Sequence, residues 1–108
     1  MANYRIYKSE EFEKDINCLD NSLRLQIDQE LRQLELNPYV GKPLSFRFLR
    51  EKKVRNYRFY YLIYDEYVVV FVVAISDKKN QQAVINKIKS KMNFYKEEIK
   101  NKITTRIF

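Results

Sequence analysis

The fold turns on one stretch, Lys53-Val54-Arg55-Asn56-Tyr57-Arg58-Phe59-Tyr60-Tyr61-Leu62-Ile63-Tyr64-Asp65-Glu66-Tyr67-Val68-Val69-Val70-Phe71-Val72-Val73-Ala74-Ile75. Its second half, from Tyr67 to Ile75, is apolar at every position and holds five Val in nine residues. Enrichment in β-branched residues favours a strand over a buried helix, and an unbroken apolar run is the pattern of a strand covered on both faces. The first half predicts a strand from Val54 to Tyr64. Tyr57, Phe59, Tyr61 and Ile63 alternate with Arg58, Tyr60, Leu62 and Tyr64, so each set lies on its own face. Asp65-Glu66 reads as the tight connection of an antiparallel hairpin. Arg58 stands where such a strand is ordinarily apolar, which asks for a partner or a function.

Upstream, Leu44 to Leu49 predicts a second strand, preceded by a loop from Asn37 to Pro43 that contains the only glycine, Gly41, and both prolines. Before it lie two helical stripes. Ser9 is placed to cap a first helix carrying Phe12, Ile16 and Leu19, and Asp20-Asn21-Ser22 to cap a second carrying Leu23, Ile27, Leu31 and Leu34. Asn37-Pro38 ends the second, because a residue before proline disfavours the helical region. Tyr4 to Lys8 alternates as an opening strand. Downstream, Val84, Ile88, Met92, Tyr95, Ile99 and Ile103 step by three or four, predicting one long helix over 80–103 with Ser76 or Asp77 as its cap. The order is β-α-α-β-β-β-α. It predicts an α+β domain spanning 1–108: a mostly antiparallel sheet of about four strands, the helical hairpin on one face, and a C-terminal helix.

Composition removes whole chemistries. The 108 residues include no His, one Cys (Cys18) and one Gly. Triads with an imidazole, Cys-rich zinc sites, P-loops and dinucleotide fingerprints are therefore excluded. Clustered carboxylates that would hold a metal are lacking near the basic strands, so no metal and no cofactor is expected. The start of the chain lacks the apolar run of a signal peptide, and no stretch approaches the ~18 residues of a membrane span. A cytoplasmic location away from membranes is expected.

The charge is uneven. Residues 1–41 hold five basic and eight acidic side chains, net −3. Residues 42–58 hold seven basic (Lys42, Arg47, Arg50, Lys52, Lys53, Arg55, Arg58) and only Glu51, net +6; residues 77–108 hold nine basic and three acidic, also net +6. A dense basic block beside an apolar strand is an electrostatic footprint for a polyanion.

Three segments give the chain a resemblance to the RelE/ParE superfamily of toxins from type II toxin–antitoxin systems, over roughly residues 4–90. They are the helical hairpin ending Leu34-Glu35-Leu36-Asn37-Pro38, the segment Gly41-Lys42-Pro43-Leu44 (similar to the family's "P…GKPL"), and Lys53-Val54-Arg55-Asn56-Tyr57-Arg58-Phe59-Tyr60-Tyr61 (similar to "RVGDYRVIY"). The resemblance implies a small curved sheet flanked by helices and a cognate antitoxin that wraps the toxin, with an oligomer built through that antitoxin. It implies one of two targets. RelE-like members are mRNA endonucleases (mRNA interferases) that cut ribosome-bound mRNA, and ParE-like members inhibit DNA gyrase without chemistry of their own. A degenerate member would keep only RNA or partner binding.

For a nuclease, the resemblance assigns Arg58 to phosphate binding and transition-state stabilisation. It makes Lys53 a base, with Lys52, Arg55 and Arg58 expected to crowd it. Lys78 is expected to hold a phosphate where relatives carry an Arg in a segment resembling "GKRE". Arg47, Arg50, Lys52, Arg55 and Tyr57 are expected to contact RNA. Without histidine, 2′-OH attack has to run on Lys and Arg. One departure is visible: spacing puts Val84 where active RelE-like members often place a base-stacking Tyr. Ile99 and Ile103 are candidate antitoxin contacts, or else core.

Overall fold

The computed structural model describes residues 3–107. Strand β1 (Arg5–Lys8) leads into helices α1 (Glu10–Ile16) and α2 (Asn21–Leu36), then a 3-10 turn (Pro38–Val40). Strands β2 (Lys42–Leu44), β3 (Phe46–Val54), β4 (Tyr57–Tyr64) and β5 (Val69–Asp77) follow, and helices α3 (Gln81–Ser90) and α4 (Met92–Ile107) complete the order. The five strands lie in the order β1-β5-β4-β3-β2, antiparallel except that β1 runs parallel to β5. The expected α+β architecture is present, with one more strand than foreseen because residues 42–44 pair with β3.

Caps act where the sequence places them in the first half. Ser9 Oγ accepts from the Phe12 amide and Asp20 Oδ1 from the Leu23 amide, each satisfying a donor that the helix leaves unpaired. Phe12, Ile16, Leu23, Ile27, Leu31 and Leu34 then press on one sheet face, against Phe59, Tyr61, Ile63, Val70 and Val72. The other face is covered by Ile85, Ile88, Tyr95 and Ile99 of α3 and α4, which meet Leu49, Tyr60, Leu62, Phe71 and Val73. Two covered faces explain why β5 has no polar face to show.

Four expectations need correction. The strand foreseen from Val54 to Tyr64 is divided by a turn at Arg55-Asn56, and the strand foreseen over 44–49 instead runs from Phe46 to Val54, taking in the basic run 50–53. The β4–β5 connection occupies Asp65–Val68 rather than Asp65-Glu66 alone, closed by the Val68 amide donating to the Asp65 carbonyl. The single helix over 80–103 is two helices that part at Lys91. Neither Ser76 nor Asp77 caps it: Ser76 is buried in β5, and Asp77 receives the Asn80 amide in the turn ahead of α3.

Candidate phosphate-binding cleft

The end of the sheet where β3 turns into β4 gathers the cations. Lys53 lies directly opposite Arg58, and Arg58 opposite Ser76, so three strands set these residues in one row. Two residues past Ser76 the chain leaves β5 as Lys78-Lys79. Lys53, Asn56, Arg58, Asp77, Lys78 and Lys79 line an open cleft of about 410 Å³. The three residues expected to carry chemistry, Lys53, Arg58 and Lys78, therefore share one site. Among the described residues, four cations there face the single lining carboxylate of Asp77, itself occupied by the amide and side chain of Asn80.

What separates these cations from the others is the state of their donors. Among the described residues, the side chains of Lys53, Arg58, Lys78 and Lys79 donate no hydrogen bond to the protein. Arg58 has one ion pair, Nε to Glu51 Oε1 at 3.9 Å, beyond hydrogen-bond length, although its side chain is only 15% exposed. A largely sheltered guanidinium with its fork unspent is poised for an external oxyanion.

The other expected RNA contacts lie elsewhere. Arg50 donates Nη1 to the carbonyls of Tyr39 and Gly41 and Nε to that of Arg47, bracing the loop ahead of β2. Lys52 reaches Glu30 of α2 at 3.3 Å. Arg55 donates to Gln26 Oε1 and Ser22 Oγ. Arg47 pairs with Asp65 and lies over the Tyr39 ring, six residues along β3 from Lys53, or roughly 20 Å. Tyr57 packs against the core on the α1–α2 face. Lys52 and Arg55 are thus engaged with α2, and of the three cations expected to crowd Lys53 it is Arg58 that stands directly opposite it.

Beneath Arg58 is a buried polar cluster that the sequence reading passed over. Glu51, 7% exposed, receives the side-chain amide of Gln81 at 3.1 and 3.5 Å. Beside it Tyr60 Oη and Ser76 Oγ share a hydrogen bond of 2.8 Å. Burial pushes the Tyr60 phenol up, so the group stays protonated and neutral. Among the described residues, no aromatic ring lines the cleft. Val84 packs against the second core and presents nothing for a base to stack on, and Ile99 and Ile103 belong to that same core. No group of acidic or Cys side chains able to hold a metal occurs among the described residues, and no helix there is long and apolar enough to cross a membrane.

A mixed sheet between two helical pairs, with an arginine of the central strand open to a cationic cleft, is the frame of a small toxin. The chain belongs to the RelE/ParE superfamily of type II toxin–antitoxin toxins, the model of the ParE toxin of the type II system parDE matching residues 6–82. Among solved structures it is similar to a double arginine-to-alanine mutant of E. coli toxin RelE in the free state. That match has a TM-score of 0.70 and 24% identity over 83% of this chain and 98% of that one. The intact E. coli RelBE toxin–antitoxin complex matches at TM-score 0.63 and 27% identity, over 68% and 95%. The Mycobacterium tuberculosis RelBE2 toxin–antitoxin complex matches at 0.64 and 22%, over 72% and 94%, a likeness of fold. No curated protein matches the sequence.

Proposed function

We propose that this toxin is a RelE-type endoribonuclease, cutting ribosome-bound mRNA in the cytoplasm by metal-independent attack of a 2′-OH on the adjacent phosphate. The observation that carries the reading is the meeting of Lys53, Arg58 and Lys78 in one cleft with their donors unspent, while the other basic side chains of β3 and its turn are engaged internally. Arg58 offers two terminal nitrogens to the non-bridging oxygens, where charge grows as the phosphorane forms. Lys53, which stands directly opposite Arg58, takes the 2′-OH proton. Lys78, on the other side of the cleft, gives a proton to the departing 5′ oxygen. The products are a 2′,3′-cyclic phosphate and a 5′-OH end. The partner is a cognate antitoxin, as in the RelBE complexes, and any oligomer forms through it.

Expression of wild type and Arg58→Ala without antitoxin, followed by mapping of RNA 5′ ends, tests this. Wild type arrests growth and leaves mRNA cut within codons, and Arg58→Ala does neither. Growth arrest with intact transcripts refutes it. A second reading, inhibition of DNA gyrase without chemistry, is favoured by the lack of an aromatic ring among the described residues that line the cleft and by the family match to ParE. It predicts loss of supercoiling by purified gyrase in the toxin's presence.

A further inference from the structure

Glu51 is the one carboxylate in the basic block 42–58, and β3 aims it inward. A charge in such a place is tolerated only when it is paired and hydrogen-bonded. Its partners come from two other elements. Arg58 of β4 supplies the positive charge from its Nε edge, and Gln81, the first residue of α3, holds both carboxylate oxygens. Glu51 itself does not line the cleft. From there it cannot meet a substrate hydroxyl, but it does face the inner edge of the Arg58 guanidinium, which meets the cleft. Gln81 fixes where that carboxylate sits.

We infer that Glu51 and Gln81 form a bracket that orients Arg58, turning its terminal Nη groups to an incoming phosphate, so that Glu51 is a positioning residue for the site. The inference rests on the cleft being a phosphate site. It adds that the first turn of α3 and the register of β3 together decide how well Arg58 binds.

The test uses the full chain and a single-stranded 2′-O-methyl oligoribonucleotide, which binds but cannot be cut. Binding affinity and the Arg58 Nε–H resonance are measured for wild type, Arg58→Ala, Glu51→Gln and Gln81→Leu. The bracket predicts that Glu51→Gln weakens binding roughly fivefold, the scale of one ion pair without a hydrogen bond. The Arg58 Nε–H signal, narrow in wild type, should broaden. Gln81→Leu, at the start of a helix and outside the sheet, should show the same two changes more weakly, which keeps the test valid if Glu51→Gln does not fold. If Arg58→Ala weakens binding but Glu51→Gln and Gln81→Leu bind as wild type or tighter, the bracket is refuted while the phosphate site stands. If Arg58→Ala binds as wild type, the phosphate-site reading itself falls, and the bracket with it.

Discussion

Gly41 is held by space rather than by backbone angle. Its φ of −73° suits any residue, yet a Cβ there would stand 2.3 Å from Tyr61 Oη and 2.8 Å from the Glu51 carbonyl. Tyr61 is fully buried and cannot swing into solvent. Its hydroxyl donates to the Pro38 carbonyl at 2.6 Å and accepts from the Gly41 amide at 3.1 Å. Gly41→Ala must therefore displace the phenol and break both bonds, at about 1 kcal/mol each, with overpacking costing about 1–3 kcal/mol more. The stiffer unfolded chain returns about 0.4–1 kcal/mol. The net expectation is a loss of about 2–5 kcal/mol, or a fall in Tm of roughly 10–40 °C for a domain of this size. Urea unfolding followed by circular dichroism measures it. Removing the hydroxyl as well, in Gly41→Ala/Tyr61→Phe, should cost less than the sum of the two single changes, because one clash is then counted twice. A loss below about 0.5 kcal/mol for Gly41→Ala, the scatter of an inert surface change, would refute the reasoning.

The acid side of the stability profile should depend on Asp65. Hydrogen bonds from Tyr39 and then Tyr4 hold its carboxyl below its ordinary 3.8, so its contribution is complete above that value and fades as pH falls below it. The Asp65 bond likewise pushes Tyr4 up to about 12, a contribution present below about 10 and lost as pH rises through 12. Tm scans of Asp65→Asn should be flatter than wild type at both ends, and parallel curves would remove the clasp. Tyr64 Oη is buried with no hydrogen-bond partner among the described residues, so Tyr64→Phe should leave stability unchanged or raise it by about 1 kcal/mol; a loss above 1 kcal/mol would reveal a partner. Arg50→Ala should cost about 1–3 kcal/mol through its carbonyl bonds and leave oligonucleotide affinity intact, the reverse of Arg58→Ala. If the cleft neutralises three or four phosphates, log affinity for single-stranded RNA should fall against log salt with a slope of roughly −2 to −3, and a flat dependence would exclude that mode.

The elements read most reliably from sequence are those whose periodicity and burial agree. Phe12 and Ile16, the Leu23–Leu34 stripe and the apolar run through Val73 each face a core, so pattern and structure coincide. The boundaries that slipped lie where local chemistry gives no warning. Arg55 takes a left-handed φ of 55° in the β3–β4 turn, a position where glycine or asparagine would have been the signal. Lys91 parts α3 from α4 inside an apolar stripe that runs on unbroken, so the spacing alone reads as one helix.

The site was legible as a block of charge but not as a cleft, and the reason is parity. With β3 continuing to Val54, Leu49, Glu51 and Lys53 point to one face while Arg50, Lys52 and Val54 point to the other. A count of +6 adds the two faces together. The fold then spends Arg50, Lys52 and Arg55 on the loop and α2, and leaves Lys53 and Arg58 to meet Lys78 and Lys79 from the far end of β5. Lys78 joins them only because β4 pairs with β5 in the register that sets Arg58 beside Ser76. That register is a tertiary fact, fixed by two cores on opposite faces. The same parity makes Glu51 informative, since a lone acid on the inward face of a basic strand needs a partner across the sheet, and the partner it finds is Arg58, the arginine that lines the cleft.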